Sequence, residues 1–100
     1  MFFVVTMTHP DGEGWGNVSC RMSHVEYLNR LIAAGKLRAS GPAIDQPLRT
    51  GLLIFEVADR AGLDSLIAAD PFAKEGLIVD LAVIPWSPMF GIFAEAPIST

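Results

Sequence analysis

The sequence predicts one α+β domain of ferredoxin-like type, βαββαβ, with a four-stranded antiparallel sheet and two helices on one face. Three observations predict it. Four segments are rich in β-branched and aromatic residues, two longer segments repeat apolar residues at helical spacing, and glycine or proline stands between them. Their order along the chain is strand, helix, strand, strand, helix, strand. A length of 100 residues predicts a single domain over 1–100, with a core at 1–86 and a C-terminal tail at 87–100.

The first strand is Phe2 to Thr8, and a loop follows from His9 to Asn17. Helix one runs from Val18 or Ser19 to Ala34, with Gly35 as its stop. Lys36 to Ala43 is strand two, interrupted by Gly41-Pro42, and Asp45-Gln46-Pro47 begins a turn. Leu52 to Val57 is strand three. Asp59 caps helix two, which ends at Asp70-Pro71 because a residue before proline is disfavoured in the helical region. After Gly76, strand four runs from Leu77 to Ile84, and Pro85-Trp86-Ser87-Pro88 ends it.

Alternation makes both sheet faces apolar. Phe3, Val5 and Met7 oppose Phe2, Val4, Thr6 and Thr8; Leu53, Phe55 and Val57 oppose Leu52, Ile54 and Glu56; Leu77, Leu81 and Val83 oppose Ile78, Ala82, Ile84 and Trp86. Two helices cover one face only. A second copy of the sheet would cover the other, so a face-to-face homodimer is expected. The tail holds Met89, Phe90, Ile92 and Phe93 and is too apolar for a free coil. It lies over a partner subunit or packs on its own domain.

Hydrophobic residues make up 51% of the chain and charged residues 18%, which predicts a real core rather than disorder. The net charge of −4 and seven scattered basic residues argue against nucleic acid as a partner. Met1 to Met7 is too short for a signal peptide or a membrane span and has no basic flank, so a cytoplasmic protein without a membrane role is expected. Cys20 is the one cysteine and reads as a structural thiol, without a disulfide or a cysteine metal cage. No His, Asp or Glu pair has metal-ligand spacing, so no metal is expected. Gly12-Glu13-Gly14-Trp15-Gly16 fits neither phosphate-loop pattern. It reads as a loop whose Trp15 can fold over a pocket. His9 reads as solvated, with ligand contact as the alternative.

Two charged residues interrupt the helical stripes. His24 lies four residues before Leu28 and seven before Leu31, within the repeat of Val25, Leu28, Leu31 and Ile32. Asp70 is the next position in the series Leu63, Leu66, Ile67. An imidazole and a carboxylate aimed at a core need partners, and each can serve the other. A carboxylate fixes the imidazole tautomer and stabilises the imidazolium, which leaves the second ring nitrogen to exchange a proton near neutrality. Each residue also has a plain reading: a hydrogen-bonded core histidine, and an Asx-type turn on the amides of Phe72 and Ala73. Ser40-Gly41-Pro42 brings a hydroxyl and a close backbone approach to a pocket, or is a bulge with no ligand. Asp80 reads as a strand-edge charge or a salt bridge across the dimer.

Ser23-His24-x-x-Tyr27-Leu28-x-x-Leu31, Gly35-Lys36-Leu37, Ser40-Gly41-Pro42, Asp70-Pro71-Phe72 with Gly76, and Pro85-Trp86 form an ordered set over residues 1 to 88. This set resembles the YciI-like (YCII-related) family. The resemblance implies the dimeric α+β barrel, a ferredoxin-like unit paired through its sheets. It also implies an active site made of a helix-one histidine and the aspartate of the Asp-Pro element, here His24 and Asp70. Dehydrochlorination of a chlorinated hydroxyquinol is one activity of the family, and muconolactone isomerases share the broader fold.

The expected protein is therefore a small cofactor-independent enzyme. His24 is its general base or acid, and Asp70 orients and charges it. The reaction is elimination or isomerisation of a small cyclic substrate, hydroxylated aromatics included. Ser40, Gly41, Pro42 and Trp86 are the expected substrate-binding residues. The alternatives are a non-catalytic module that holds a small metabolite, and a structural protein whose His-Asp pair locks two helices together.

Overall fold

The computed structural model describes residues 1–10 and 18–94. Its elements are β1 (Phe2–Thr8), α1 (Val18–Ala33), β2 (Leu37–Ala43), β3 (Thr50–Glu56), α2 (Arg60–Ala68), α3 (Pro71–Lys74) and β4 (Asp80–Trp86). The strands form one antiparallel sheet in the order β2-β3-β1-β4, the βαββαβ arrangement read from the sequence. Most of the glycine-rich loop, including Trp15, and the end of the tail lie outside the described residues.

Alternation in β1 sends Phe3, Val5 and Met7 toward the helices, where they meet Leu53 and Phe55 of β3 and Leu37 of β2. Leu31 of α1 and Leu63 and Ile67 of α2 close this core. On α1 the buried line is Cys20, His24 and Leu31, with Tyr27 and Leu28 half-buried. Val25 and Ile32, expected in the same stripe, are 46% and 50% exposed. A period of 3.6 residues puts them on the row beside the buried line. Gly35 ends α1 at φ 75°, with Lys36 N donating to Leu31 O and Gly35 N to Ile32 O, each at 3.0 Å.

Asp59 caps α2 as the sequence indicates, accepting from Gly62 N at 2.8 Å. The Asp70-Pro71 pair does more than end that helix. Asp70 is the N-cap and Pro71 the first residue of α3, a one-turn helix that Gly76 terminates at φ 68°. Aspartate at the cap and proline just inside are favoured at a helix start, so the same dipeptide closes one helix and opens the next. β4 begins at Asp80 rather than Leu77 and continues through Pro85 and Trp86. Proline fits there because β4 is an edge strand.

The sheet face away from the helices is open and apolar. Leu52 is 39% exposed, Ile84 57% and Trp86 38%. One corner is covered by the chain's own tail. Phe93 packs on Phe2 and Trp86, with ring centres 6.0 and 6.3 Å away, and the Arg38 guanidinium lies 5.5 Å from its ring. The described part of the tail thus packs on its own domain, while Met89, Phe90 and Ile92 face outward.

Candidate active site

Asp70 holds two partners at once. Its Oδ1 accepts from Phe72 N at 2.9 Å, which is the local cap. His24 Nδ1, 7% exposed at the residue level, donates to Oδ1 at 2.9 Å and to Oδ2 at 2.8 Å. The two plain readings of Asp70, turn-former and imidazole partner, are therefore one geometry. The cap fixes the carboxylate against the chain, and the packing of α1 on α3 brings His24 to it. A carboxylate only accepts, so Nδ1 carries the proton of this hydrogen bond.

His24 lies on the wall of a cavity of about 110 Å³. The buried part of the wall is Met7, His9, His24 and Leu53, and the exposed rim includes Ser40, Gly41, Pro42 and Arg49. A void of about 150 Å³ accommodates benzene, so this cavity is smaller than one that encloses a ring, and its exposed rim leaves it open on one side. Ser40 and Pro42 reach the cavity through an irregularity in β2. Leu37 pairs with Phe55 and Ala39 with Ile54, so Arg38 is the extra residue of a bulge. Beyond it the alternation reverses, and Ser40 and Pro42 pair with Leu53 and Gly51 on the helix-covered side.

Trp86, expected in the same pocket, is elsewhere. It pairs with Phe2 at the far end of β1 from Met7, and it belongs to the aromatic cluster on the open face. Register and alternation together separate it from His24. The solvated reading of His9 is also corrected. His9 is 3% exposed, its Nδ1 donates to Leu77 O at 2.8 Å, and its ring lies 4.5 Å from that of Phe72. The signal was in the sequence, since His9 continues the inward alternation Phe3, Val5, Met7. Arg49 left no such signal; it comes to the rim because its carbonyl accepts from His9 N at 2.9 Å, which pins the start of β3 to the end of β1.

Two neighbouring groups carry shifted pKa values. Burial raises the Cys20 thiol above its ordinary range, helped by the charges of Glu75 and Asp70. Burial also raises the Tyr27 phenol, with Asp70 adding to the effect and Arg30 opposing it. The Tyr27 hydroxyl donates to Leu66 O at 2.6 Å and ties α1 to α2. Among the described residues no group of three or more His, Cys, Asp or Glu side chains is placed to hold a metal ion. Among the same residues, no helix is long and apolar enough to cross a membrane.

Comparison with solved structures places this geometry in a known fold. The 5-chloro-2-hydroxyhydroquinone dehydrochlorinase of Burkholderia phenoliruptrix, solved with 2,5-dihydroxybenzoquinone, is similar at a TM-score of 0.74 and 24% identity, over 87% of this chain and 94% of that one. A protein of Arabidopsis thaliana is similar at a TM-score of 0.47 and 13% identity, over 92% of this chain and 98% of that one. No curated protein matches the chain. The sequence profile of the YCII-related domain matches residues 1–87. By that match, the chain belongs to the YCII-related family.

Proposed function

We propose that the chain is a small cofactor-independent enzyme that uses His24 and Asp70 for proton transfer in elimination or isomerisation of a small cyclic substrate, hydroxylated aromatics included. One observation carries this reading: a histidine bonded to a buried carboxylate stands on the wall of a small cavity with an exposed rim. His24 Nε2 takes a proton from an acidic O–H or C–H of the ring, and the imidazolium is held by Asp70. The proton then returns to another atom of the enolised ring in an isomerisation. In an elimination, a leaving group departs with its electron pair. Ser40 is the polar contact at the rim, and Gly41 and Pro42 shape it. The similar Burkholderia enzyme is named for dehydrochlorination of a hydroxylated ring, which supports chlorinated hydroxyquinols as the first compounds to try. The test is an assay of wild type, His24→Ala and Asp70→Asn on chlorinated hydroxyquinols and cyclic enols. Turnover by the wild type and its loss in both variants is expected. No turnover of any compound, or activity kept by the variants, defeats the reading.

We infer further that two copies pair through the open sheet face, since Leu52 and Ile84 are exposed on it. Sedimentation analysis should give twice the chain mass, and Ile84→Asp should give the chain mass.

A further inference from the structure

The residues of β3 that face the helices are Gly51, Leu53 and Phe55, and their partners on β1 are Met7, Val5 and Phe3. Five of these positions fill the core with large side chains, and position 51 brings none. Gly51 pairs with Met7 on one side and with Pro42 on the other, in the interior of the sheet. Gly51, Met7, Pro42 and Leu53 all line the cavity that holds His24. The sheet side of that cavity is therefore open where β3 lacks a side chain.

Local structure does not require glycine at this point. Gly35, Gly76 and Gly91 have positive φ, and Gly51 does not. The register of β3 on both neighbours is unbroken at Gly51, since the bulge lies at Arg38. Close packing does not require it either. A Cβ built on Gly51 comes within 4 Å of one atom among the described residues, Leu53 Cδ1 at 3.9 Å, which is ordinary contact. Glycine weakens a strand interior through backbone entropy and missing side-chain contacts, so folding alone favours a larger residue here. A strand glycine that neither bulge nor crowding explains marks a place where another group comes close to the backbone.

We propose that Gly51 sets the size of the occupant: its missing side chain opens the cavity, and the apolar edge of a small ring seats on its backbone between Met7 and Leu53. This rests on the reading of the cavity as a substrate site. The cavity is too small to enclose a ring and its rim is exposed, so a ring enters edge first. Met7 and Leu53 offer apolar surface, so the edge that reaches them carries no polar group. One carbon added at position 51 takes the depth that one ring carbon would use.

Binding tests this apart from turnover. Cyclobutanone, cyclopentanone, cyclohexanone and cycloheptanone share one carbonyl and differ by one methylene at each step. Wild type, Gly51→Ala and Gly51→Val are titrated with each, and the methyl resonances of Met7 and Leu53 are followed. At least one ring should bind the wild type and move both. Gly51→Ala should bind the preferred ring about ten-fold more weakly, the usual worth of one methylene in an apolar pocket, and its preference should shift toward smaller rings. Gly51→Val should bind none. Both variants should melt at or above the wild-type temperature, because alanine and valine suit a strand better than glycine where there is room. The proposal is overturned if no ring moves the two methyls of the wild type, if Gly51→Ala weakens every ring by one factor or keeps the wild-type preference, or if Gly51→Ala melts below the wild type. If Gly51→Val does not fold, Gly51→Ala decides. A protein that passes these tests and turns over no compound loses the catalytic reading alone. One that turns over a cyclic substrate with the same size preference in Gly51→Ala loses the Gly51 proposal alone.

Discussion

Asp59 and Asp70 perform the same local task in different surroundings. Each sits in extended backbone before a helix and accepts from a nearby amide, Gly62 N at 2.8 Å for Asp59 and Phe72 N at 2.9 Å for Asp70. Asp59 is exposed, and water shares its charge. Asp70 is 2% exposed, and its charge is shared with the Nδ1–H of His24. A cap is dictated by the residues next to it. The second partner is dictated by how α1 packs, and that partner is what sets Asp70 apart from an ordinary cap.

The comparison breaks most visibly at Asp70. Asp70→Ala removes the acceptor of two buried N–H groups, and urea unfolding should show a loss of about 3–5 kcal/mol. Asp70→Asn keeps an oxygen for Phe72 N and removes the charge. Its stability should fall far less, while kcat on a turned-over substrate should drop by about 10²- to 10⁴-fold. An Asp70→Asn enzyme with wild-type kcat would show that the charge has no part in the chemistry.

Asp59→Ala is the control and the next largest effect. It should cost about 1 kcal/mol, the ordinary value of a lost cap, and leave kcat unchanged. A cost equal to that of Asp70→Ala would erase the distinction between the two caps.

This distinction also marks how far the sequence could be read. Helical phase was enough to aim His24 inward, because it continues the line of α1 that the core must bury, whereas Asp70 lies past the end of α2 in extended backbone and is buried by capping α3 against α1. Strand alternation was enough for the sheet faces. Two features were out of reach because they depend on tertiary pairing. The bulge at Arg38 exists only in the register of β2 on β3, and it alone puts Ser40 on the cavity side. Arg49 reaches the rim only because β3 lies against the end of β1. Trp86 was misplaced for a simpler reason. The alternation that sets it with Ile84 already carries it to the open face, away from His24.

The smallest effect is the sharpest spectroscopically. Tyr27 is the chain's one tyrosine, so ultraviolet titration of its phenol reads that residue alone. Its pKa is raised above the ordinary 10.0 by burial first and by the Asp70 charge second. Asp70→Asn should lower the midpoint, and Asp59→Asn should leave it in place. Stability follows with a definite sign. The unfolded chain releases this proton near pH 10 and the folded chain higher, so the unfolded state binds fewer protons between the two values. The contribution is complete below pH 10 and is lost as pH rises through the folded value. Cys20 acts in the same direction from 9.0 upward, so the comparison belongs in a Cys20→Ala background. There, Tyr27→Phe should flatten the alkaline fall in stability, and Asp70→Asn should narrow it. A Tyr27 midpoint that moves equally with Asp59→Asn and Asp70→Asn would mean that both caps act on it through bulk charge, and that burial beside α1 gives Asp70 no special reach.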